Sequence, residues 1–125
     1  MAEDNQPLIL LIEDNPAIYK LVSFKLKKSG YRLEHRDNGM EGLRAIRELL
    51  PDLVILDVML PSMNGFEILR QVREDPETED VKVIMLTSKN RDEDIEKGFS
   101  MKVMDYIDKP FKPSELLMRI QRILD

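Results

Sequence analysis

The fold is decided by the stretch Leu53-Val54-Ile55-Leu56-Asp57-Val58-Met59-Leu60-Pro61. Four consecutive apolar residues end at an aspartate. So short an apolar run is typical of a strand buried on both faces of a parallel sheet. Two other runs, Leu8–Ile12 and Val83–Leu86, have the same character and also end at polar residues. The sequence therefore predicts three central strands of a parallel sheet.

Two further segments have the pattern of edge strands. Tyr31–Arg36 alternates apolar and polar residues, and Met104–Asp108 carries two acids, which an edge strand tolerates. Helical apolar stripes separate the strands; they span Ile18–Leu26, Leu43–Leu50, Ile68–Val72, Ile95–Phe99 and Leu116–Leu124. This alternation predicts an α/β fold: a doubly wound, five-stranded parallel sheet with five helices on its two faces.

The length and composition indicate one globular domain. The chain has 125 residues, of which 42% are hydrophobic and 34% are charged. Residues 1–6 are polar and acidic, so we expect a disordered N-terminal segment there and a folded domain over residues 7–125. The length leaves room for one such domain.

Composition also excludes several classes of protein. The chain has no cysteine, which rules out disulfides and thiolate sites. Its apolar runs are too short to span a membrane, and no signal-peptide pattern precedes them, so the cytoplasm is the expected location. A net charge of −5 disfavours direct nucleic-acid binding. The lone histidine, His35, is interpreted as a structural or surface residue.

Chemically useful side chains follow the predicted strands. Glu13 and Asp14 follow the first strand, Asp57 the third, Thr87 the fourth and Lys109 the fifth. Because ligands bind beyond the carboxyl ends of parallel strands, these residues should share one site. Three clustered carboxylates need a compensating cation, for which Mg²⁺ and the lysine ammonium are suited. A carboxylate can also act as a nucleophile and accept a phosphoryl group.

Several short motifs occur in a recognisable order: Glu13-Asp14, Leu56-Asp57-Val58-Met59-Leu60-Pro61, Asn64-Gly65, Thr87-Ser88, Asp105-Tyr106 and Lys109-Pro110-Phe111. With these motifs, the chain resembles the receiver domain of bacterial two-component response regulators, including the chemotaxis members of that family. The resemblance covers nearly the whole chain. It implies a flavodoxin-like fold with strand order 2-1-3-4-5.

The resemblance also implies roles for individual residues. Asp57 would accept a phosphoryl group from a histidine kinase or a phosphotransfer protein. Mg²⁺ would be bound directly by Asp14, through water by Glu13, and also by Asp57 and the Met59 carbonyl. The remaining roles are phosphoryl binding by Lys109, Thr87 and the Ser88 amide, switching by Thr87 and Tyr106, and a cis peptide bond before Pro110.

Signalling would follow from a change of surface. The resemblance places the output surface on the fourth predicted helix, the fifth strand and the fifth predicted helix, which would contact a downstream partner or output domain, or form a homodimer after phosphorylation. No output domain is expected within the 125 residues, which suits either a stand-alone regulator or a piece of a longer one. Catalysis would be limited to the uptake and loss of the protein's own phosphoryl group. Met59 and Lys89, each two residues beyond a site residue, are expected to slow that loss.

Two residues depart from the family pattern. Gly98 stands where alanine is common, and Lys102 stands where glycine usually ends the fourth helix in a left-handed conformation. Lys102 in that conformation would cost roughly 1 kcal/mol, unless the turn differs.

Three other functions share parts of this pattern. A constitutive interaction domain would keep this fold without using phosphate, but all the acids and Lys109 are present. A flavin-binding protein shares the architecture, but the loop Asp14-Asn15-Pro16 is acidic and offers no phosphate cradle. A metal-dependent phosphatase would commonly add a cap domain, for which the chain has no room.

Overall fold

Strands and helices alternate along the chain as the apolar pattern predicts. The computed structural model describes residues 6–87 and 101–125. Its strands are β1 (Leu8–Ile12), β2 (Arg32–Arg36), β3 (Leu53–Asp57), β4 (Val83–Thr87) and β5 (Asp105–Asp108). The helices in the described residues are α1 (Pro16–Lys28), α2 (Gly39–Leu49), α3 (Gly65–Glu74) and α4 (Pro113–Leu124). The fourth predicted helix, with Ile95, Gly98 and Phe99, lies outside the described residues, so α4 is the fifth predicted helix.

The five strands form one parallel sheet in the order β2-β1-β3-β4-β5. The predicted fold class and strand order are therefore confirmed. The polar strands β2 and β5 lie at the two edges, as their sequences indicated. None of the helices in residues 6–87 and 101–125 has both the length and the hydropathy that a membrane span requires.

Each central strand sends alternate side chains into two separate cores, because successive residues of a strand point to opposite faces. On one face, Leu10, Ile12 and Leu56 pack with residues of α2 and α3. On the other, Leu11 and Ile55 pack among residues of α1 and α4. The sheet is thus buried on both faces, and its carboxyl edge is left as the place where polar side chains gather.

Three loops at the carboxyl edge end in an asparagine that caps the following helix. The side chain of Asn15 accepts hydrogen bonds from the Ala17 and Ile18 amides at the start of α1. Asn38 and Asn64 cap α2 and α3 in the same way. An asparagine oxygen satisfies amides that have no partner within the helix. These caps fix where each loop of the carboxyl edge ends.

The guanidinium of Arg73 ties the amino-terminal end of β5 to the end of α3. Its Nε donates to the Met101 carbonyl at 2.7 Å, and its Nη2 donates to the Lys102 carbonyl at 3.2 Å. Its Nη1 donates to the carbonyls of Glu79 and Val81, both at 2.8 Å. Lys102 has a φ of 60°. The left-handed turn is therefore kept although a lysine occupies it, and Arg73 bonds directly to that residue's carbonyl.

Replacing Lys102 with glycine should raise the free energy of unfolding by about 0.5 to 1 kcal/mol. Glycine removes the strain of a left-handed residue, and its greater freedom in the unfolded chain offsets part of that gain. Chemical denaturation of the two proteins measures the difference. The matched control, Lys82→Gly, changes an exposed lysine without positive φ and should lower stability. A loss of stability in Lys102→Gly would contradict the prediction.

Candidate functional site

The carboxyl edge of the sheet brings together the polar residues that follow β1, β3 and β5. Glu13, Asp14 and Asp57 each place a carboxylate oxygen within 4.8 Å of the others. Glu13 and Asp57 are buried, whereas Asp14 is exposed. The structure thus joins three acids that are far apart in sequence, and one of them faces solvent.

Lys109 bridges the two buried acids. Its Nζ lies 2.7 Å from Oε1 of Glu13 and 2.9 Å from Oδ2 of Asp57. Burial lowers the pKa of Lys109, but the hydrogen bonds and charges of Glu13 and Asp57 outweigh it, so the pKa lies above its usual value. The ammonium is therefore charged at neutral pH, and its positive charge sits between the two carboxylates.

The charges of these four side chains do not balance. Three carboxylates against one ammonium leave two negative charges uncompensated. Like charges held this close repel one another, so a nearby cation stabilises the cluster. An oxygen-rich donor set with a net charge of this sign fits a hard divalent cation such as Mg²⁺. The residues present therefore fit the ion that the sequence led us to expect.

Glu13 is held at both carboxylate oxygens. Oε1 pairs with Lys109, and Oε2 accepts a hydrogen bond from the Asn15 amide at 3.0 Å. Its side chain is fully buried. Glu13 is thus buried between an ammonium and a main-chain amide, whereas Asp14 is exposed, and the metal-binding roles predicted for these two acids stay predictions.

Asp57 is fixed from its side chain and from its main chain. Oδ1 accepts from the Met59 amide at 3.3 Å, while Oδ2 faces Lys109. The first residue of α3, Gly65, lies so close that a Cβ there would be 2.5 Å from the Asp57 carbonyl oxygen. A glycine is required at this approach, which explains the Asn64-Gly65 motif.

Thr87 is engaged by a residue that the sequence interpretation missed. Its hydroxyl donates to Oδ1 of Asp108 at 3.1 Å. The two residues lie opposite each other in the β4–β5 register. Asp108 directly precedes Lys109, but pairing with Thr87 depends on register, which the sequence alone did not give.

The other predicted site residues have mixed outcomes. The Met59 side chain is exposed beside Asp57, and Tyr106 is half-buried against the core of α2 and α3. The Lys109–Pro110 peptide bond is cis. Ser88 and Lys89 lie outside the described residues, so their predicted roles stay predictions.

Comparison with known proteins identifies the family. A family model described as the response regulator receiver domain matches residues 9–121. This chain belongs to the response regulator receiver family. The match covers β1 from Ile9, the other four strands and every predicted site residue, so the resemblance stated from the motifs is confirmed. Membership of this family disfavours the flavin-binding and phosphatase alternatives.

Individual relatives agree with this membership. The receiver domain is 40% identical over 118 residues to the DNA-binding dual master transcriptional regulator RpaA of Synechocystis, covering 94% of this chain and 49% of that protein. It is 39% identical over 113 residues to the DNA-binding response regulator MtrA of Mycolicibacterium smegmatis, covering 90% of this chain and 48% of that protein. The chain thus spans about half the length of the curated relatives it matches.

Solved structures show the same architecture. The chemotaxis response regulator CheY4 of Vibrio cholerae superposes with a TM-score of 0.89 at 31% identity, covering 96% of this chain and all of that one. The receiver domain of the sensor histidine kinase PA1611 from Pseudomonas aeruginosa has a TM-score of 0.84 at 31% identity, covering 94% and 96% of the two chains. That structure holds a magnesium ion coordinated in its active-site cleft.

Proposed function

We propose that this receiver domain takes a phosphoryl group onto Asp57 in a Mg²⁺-dependent reaction and passes the signal to a protein partner. The observation that carries the proposal is the arrangement around Asp57. Its carboxylate is buried, it lies 2.9 Å from the Lys109 ammonium, and it shares a cluster with Glu13 and Asp14. A buried nucleophile beside fixed charges suits phosphoryl transfer, which depends on positioning and electrostatic stabilisation.

The transfer step forms one bond and breaks one. A carboxylate oxygen of Asp57 forms a bond to phosphorus, and the bond from phosphorus to the donor breaks. The donor atom, a histidine nitrogen in a kinase or phosphotransfer protein, leaves with the electron pair. Lys109 stabilises the negative charge on the phosphoryl oxygens, and its contact with Oδ2 already places it at the nucleophile.

Four groups would hold Mg²⁺. Asp14 and Asp57 supply carboxylate oxygens, the Met59 main chain supplies a carbonyl, and Glu13 contributes through water. When bound, the ion neutralises charge on the phosphoryl group and on the acids. The exposed carboxylate of Asp14 is the entry point for the ion, because Glu13 is buried and its oxygens are engaged.

The switch begins at Thr87. Its hydroxyl bonds to Asp108, so binding a phosphoryl oxygen requires it to leave that partner. Tyr106 lies on the neighbouring strand, half-buried, and would turn inward when Thr87 moves. With Ser88 as a second phosphoryl contact, these changes would alter the surface formed by the fourth predicted helix, β5 and α4.

On the described part of that surface, three charged side chains form ion pairs. Arg119 of α4 lies 2.8 Å from Asp105 of β5 and 3.4 Å from Glu115. Such a surface suits a protein partner, an output domain or a second copy of the chain. RpaA and MtrA are DNA-binding regulators by name. We propose that this domain does not itself touch nucleic acid, in keeping with its negative charge.

Met59 would set the lifetime of the phosphoryl group. Its apolar side chain is 69% exposed at the mouth of the site, where it would hinder a water molecule that approaches the phosphorus. Lys89, two residues beyond Thr87 in the sequence, would add a positive charge that covers the phosphate. Self-hydrolysis should therefore be slow, and the catalysis of the domain is limited to its own phosphoryl group.

The test is phosphorylation by acetyl phosphate with Mg²⁺, followed by mass spectrometry to locate the modified residue. The wild-type protein should be modified at Asp57, and Asp57→Asn should not be modified. Asp37→Asn is the matched control, because Asp37 is an exposed acid at the same edge of the sheet. Chelation of Mg²⁺ should stop the reaction. Modification at another residue, or equal labelling of Asp57→Asn, would refute the proposal and favour a constitutive interaction domain.

A further inference from the structure

The peptide group between Glu13 and Asp14 is anchored by the side chain of an edge-strand residue. We propose that His35 is a positioning residue for the Mg²⁺ site: it fixes the Glu13 carbonyl and thereby orients Asp14. The proposal rests on the proposed function, because it concerns the same metal site. His35 touches none of the reacting groups, and its role would be exerted through the main chain.

The contact is short and has one chemical interpretation. Nε2 of His35 lies 2.7 Å from the carbonyl oxygen of Glu13. A carbonyl oxygen only accepts hydrogen bonds, so Nε2 must carry the proton and donate. The imidazole is half-buried in this position. The imidazole takes the place of a main-chain donor to the Glu13 carbonyl in a partly buried part of the site. The bond therefore helps to fix the position of that carbonyl.

The hydrogen bond continues the sheet beyond the end of its main-chain ladder. The pairing of β1 with β2 runs to Ile12 and Arg36. The Glu13 amide still donates to the Arg36 carbonyl at 3.1 Å. The Glu13 carbonyl is then met by the imidazole of His35, so both main-chain groups of Glu13 are bound by β2.

The imidazole is held in place from the other side by α1. The ring of Tyr19 stacks on it with a centroid distance of 3.9 Å and an angle of 17°. The Tyr19 amide in turn donates to the carbonyl of Asn15, in the loop that follows Asp14. The stacking therefore fixes the ring orientation that the hydrogen bond requires.

The consequence reaches Asp14 through the planarity of the peptide group. The Glu13 carbonyl and the Asp14 amide and Cα lie in one plane. Rotation of this plane would move the Asp14 side chain away from the cluster with Asp57. Residues that orient metal ligands without touching the metal contribute measurably to affinity.

Two variants separate hydrogen bonding from ring packing. His35→Phe keeps a ring that can stack on Tyr19 but has no donor. His35→Gln loses the ring and keeps an N–H group at about the same reach. A purely structural histidine would be replaced better by phenylalanine, whereas a positioning donor would be replaced better by glutamine.

The experiment measures the Mg²⁺ dissociation constant of the three proteins by calorimetry, with the metal-free free energy of unfolding as a parallel readout. His35→Phe should bind Mg²⁺ about two- to tenfold more weakly, as the loss of one hydrogen bond implies. His35→Gln should bind closer to wild type. Equal affinity of His35→Phe and wild type would overturn the inference, as would equal weakening in both variants.

A second readout needs no metal. His35 is the single histidine of the chain, so its imidazole signals in a long-range ¹H–¹⁵N spectrum are unambiguous. The neutral ring should carry its proton on Nε2, and a proton on Nδ1 would overturn the inference. If the wild type binds Mg²⁺ and is phosphorylated on Asp57 while His35→Phe matches it, this inference alone fails. If the wild type does neither, the proposed function fails and the inference fails with it.

Discussion

Replacing Lys109 with methionine should destabilise the metal-free protein by about 3 to 5 kcal/mol, the usual cost of removing one partner from a buried ion pair. Glu13 is fully buried, and Lys109 is its cationic partner at 2.7 Å. Methionine fills a similar volume without charge, so the loss reflects electrostatics more than packing. Urea denaturation in the presence of a chelator measures it.

Mg²⁺ should partly rescue the same variant. With the ammonium gone, the three carboxylates attract a divalent cation more strongly, so Lys109→Met should bind Mg²⁺ more tightly than wild type. Ligand binding to the folded state raises stability by mass action. Phosphorylation of Asp57 should nevertheless slow, because the phosphoryl oxygens lose their ammonium.

The control for Lys109→Met is Lys112→Met, an exposed lysine three residues further along the same loop. It should change stability by less than about 0.5 kcal/mol. Adding Glu13→Gln to Lys109→Met should recover part of the loss, since the unpaired buried charge is removed with it. Equal stability of Lys109→Met and Lys112→Met would contradict the ion-pair argument.

The sequence was informative about the site because its residues lie at or just after the carboxyl ends of strands. Parallel strands bring these ends to one edge, so Glu13, Asp14, Asp57 and Lys109 could be grouped from the order of the predicted strands. The run Leu8–Ile12 matches β1 residue for residue. Burial on both faces makes such a run unambiguous, since no polar residue interrupts it.

The edges were harder to define, because their strands are polar. The predicted edge strands begin at Tyr31 and Met104, whereas the paired strands begin at Arg32 and Asp105. Side-chain contacts between an edge strand and its neighbour could not be predicted from the sequence. The bond of Thr87 to Asp108 depends on the β4–β5 register, and that of His35 to Glu13 depends on the β1–β2 register. Sequence spacing specifies neither of these.

Contacts between loops were also missed, and they determine the position of the loop after Asp57. The amide of Gly39, at the start of α2, donates to the Pro61 carbonyl at 2.9 Å. The Met40 amide donates to Oγ of Ser62 at 3.1 Å. The loop that follows Met59 is therefore bound to the amino-terminal end of α2. In the sheet order, β2, which precedes α2, lies on one side of β3, whereas β5, which precedes Lys109, lies on the other side.

Gly39→Ala should destabilise the protein by about 3 kcal/mol, the upper part of the range for overpacking. A Cβ at this position would lie 1.8 Å from the Met63 carbonyl oxygen and 2.7 Å from the Met63 carbonyl carbon. Both are main-chain atoms, so a side-chain rotation cannot relieve the clash. The loop must move, and the Met59 carbonyl must move with it. Mg²⁺ affinity should therefore fall along with the free energy of unfolding.

Two further variants make this prediction specific. Glu48→Ala places the same residue at an exposed position of α2 and should leave both stability and Mg²⁺ affinity close to wild type. Ser62→Ala removes the bond from the Met40 amide and the bond that the hydroxyl donates to Oδ1 of Asn38, and it should cost about 1 kcal/mol. If Gly39→Ala unfolds like Glu48→Ala, the two loops are not in contact. If it is unstable but binds Mg²⁺ with wild-type affinity, the contact supports the fold without orienting the site.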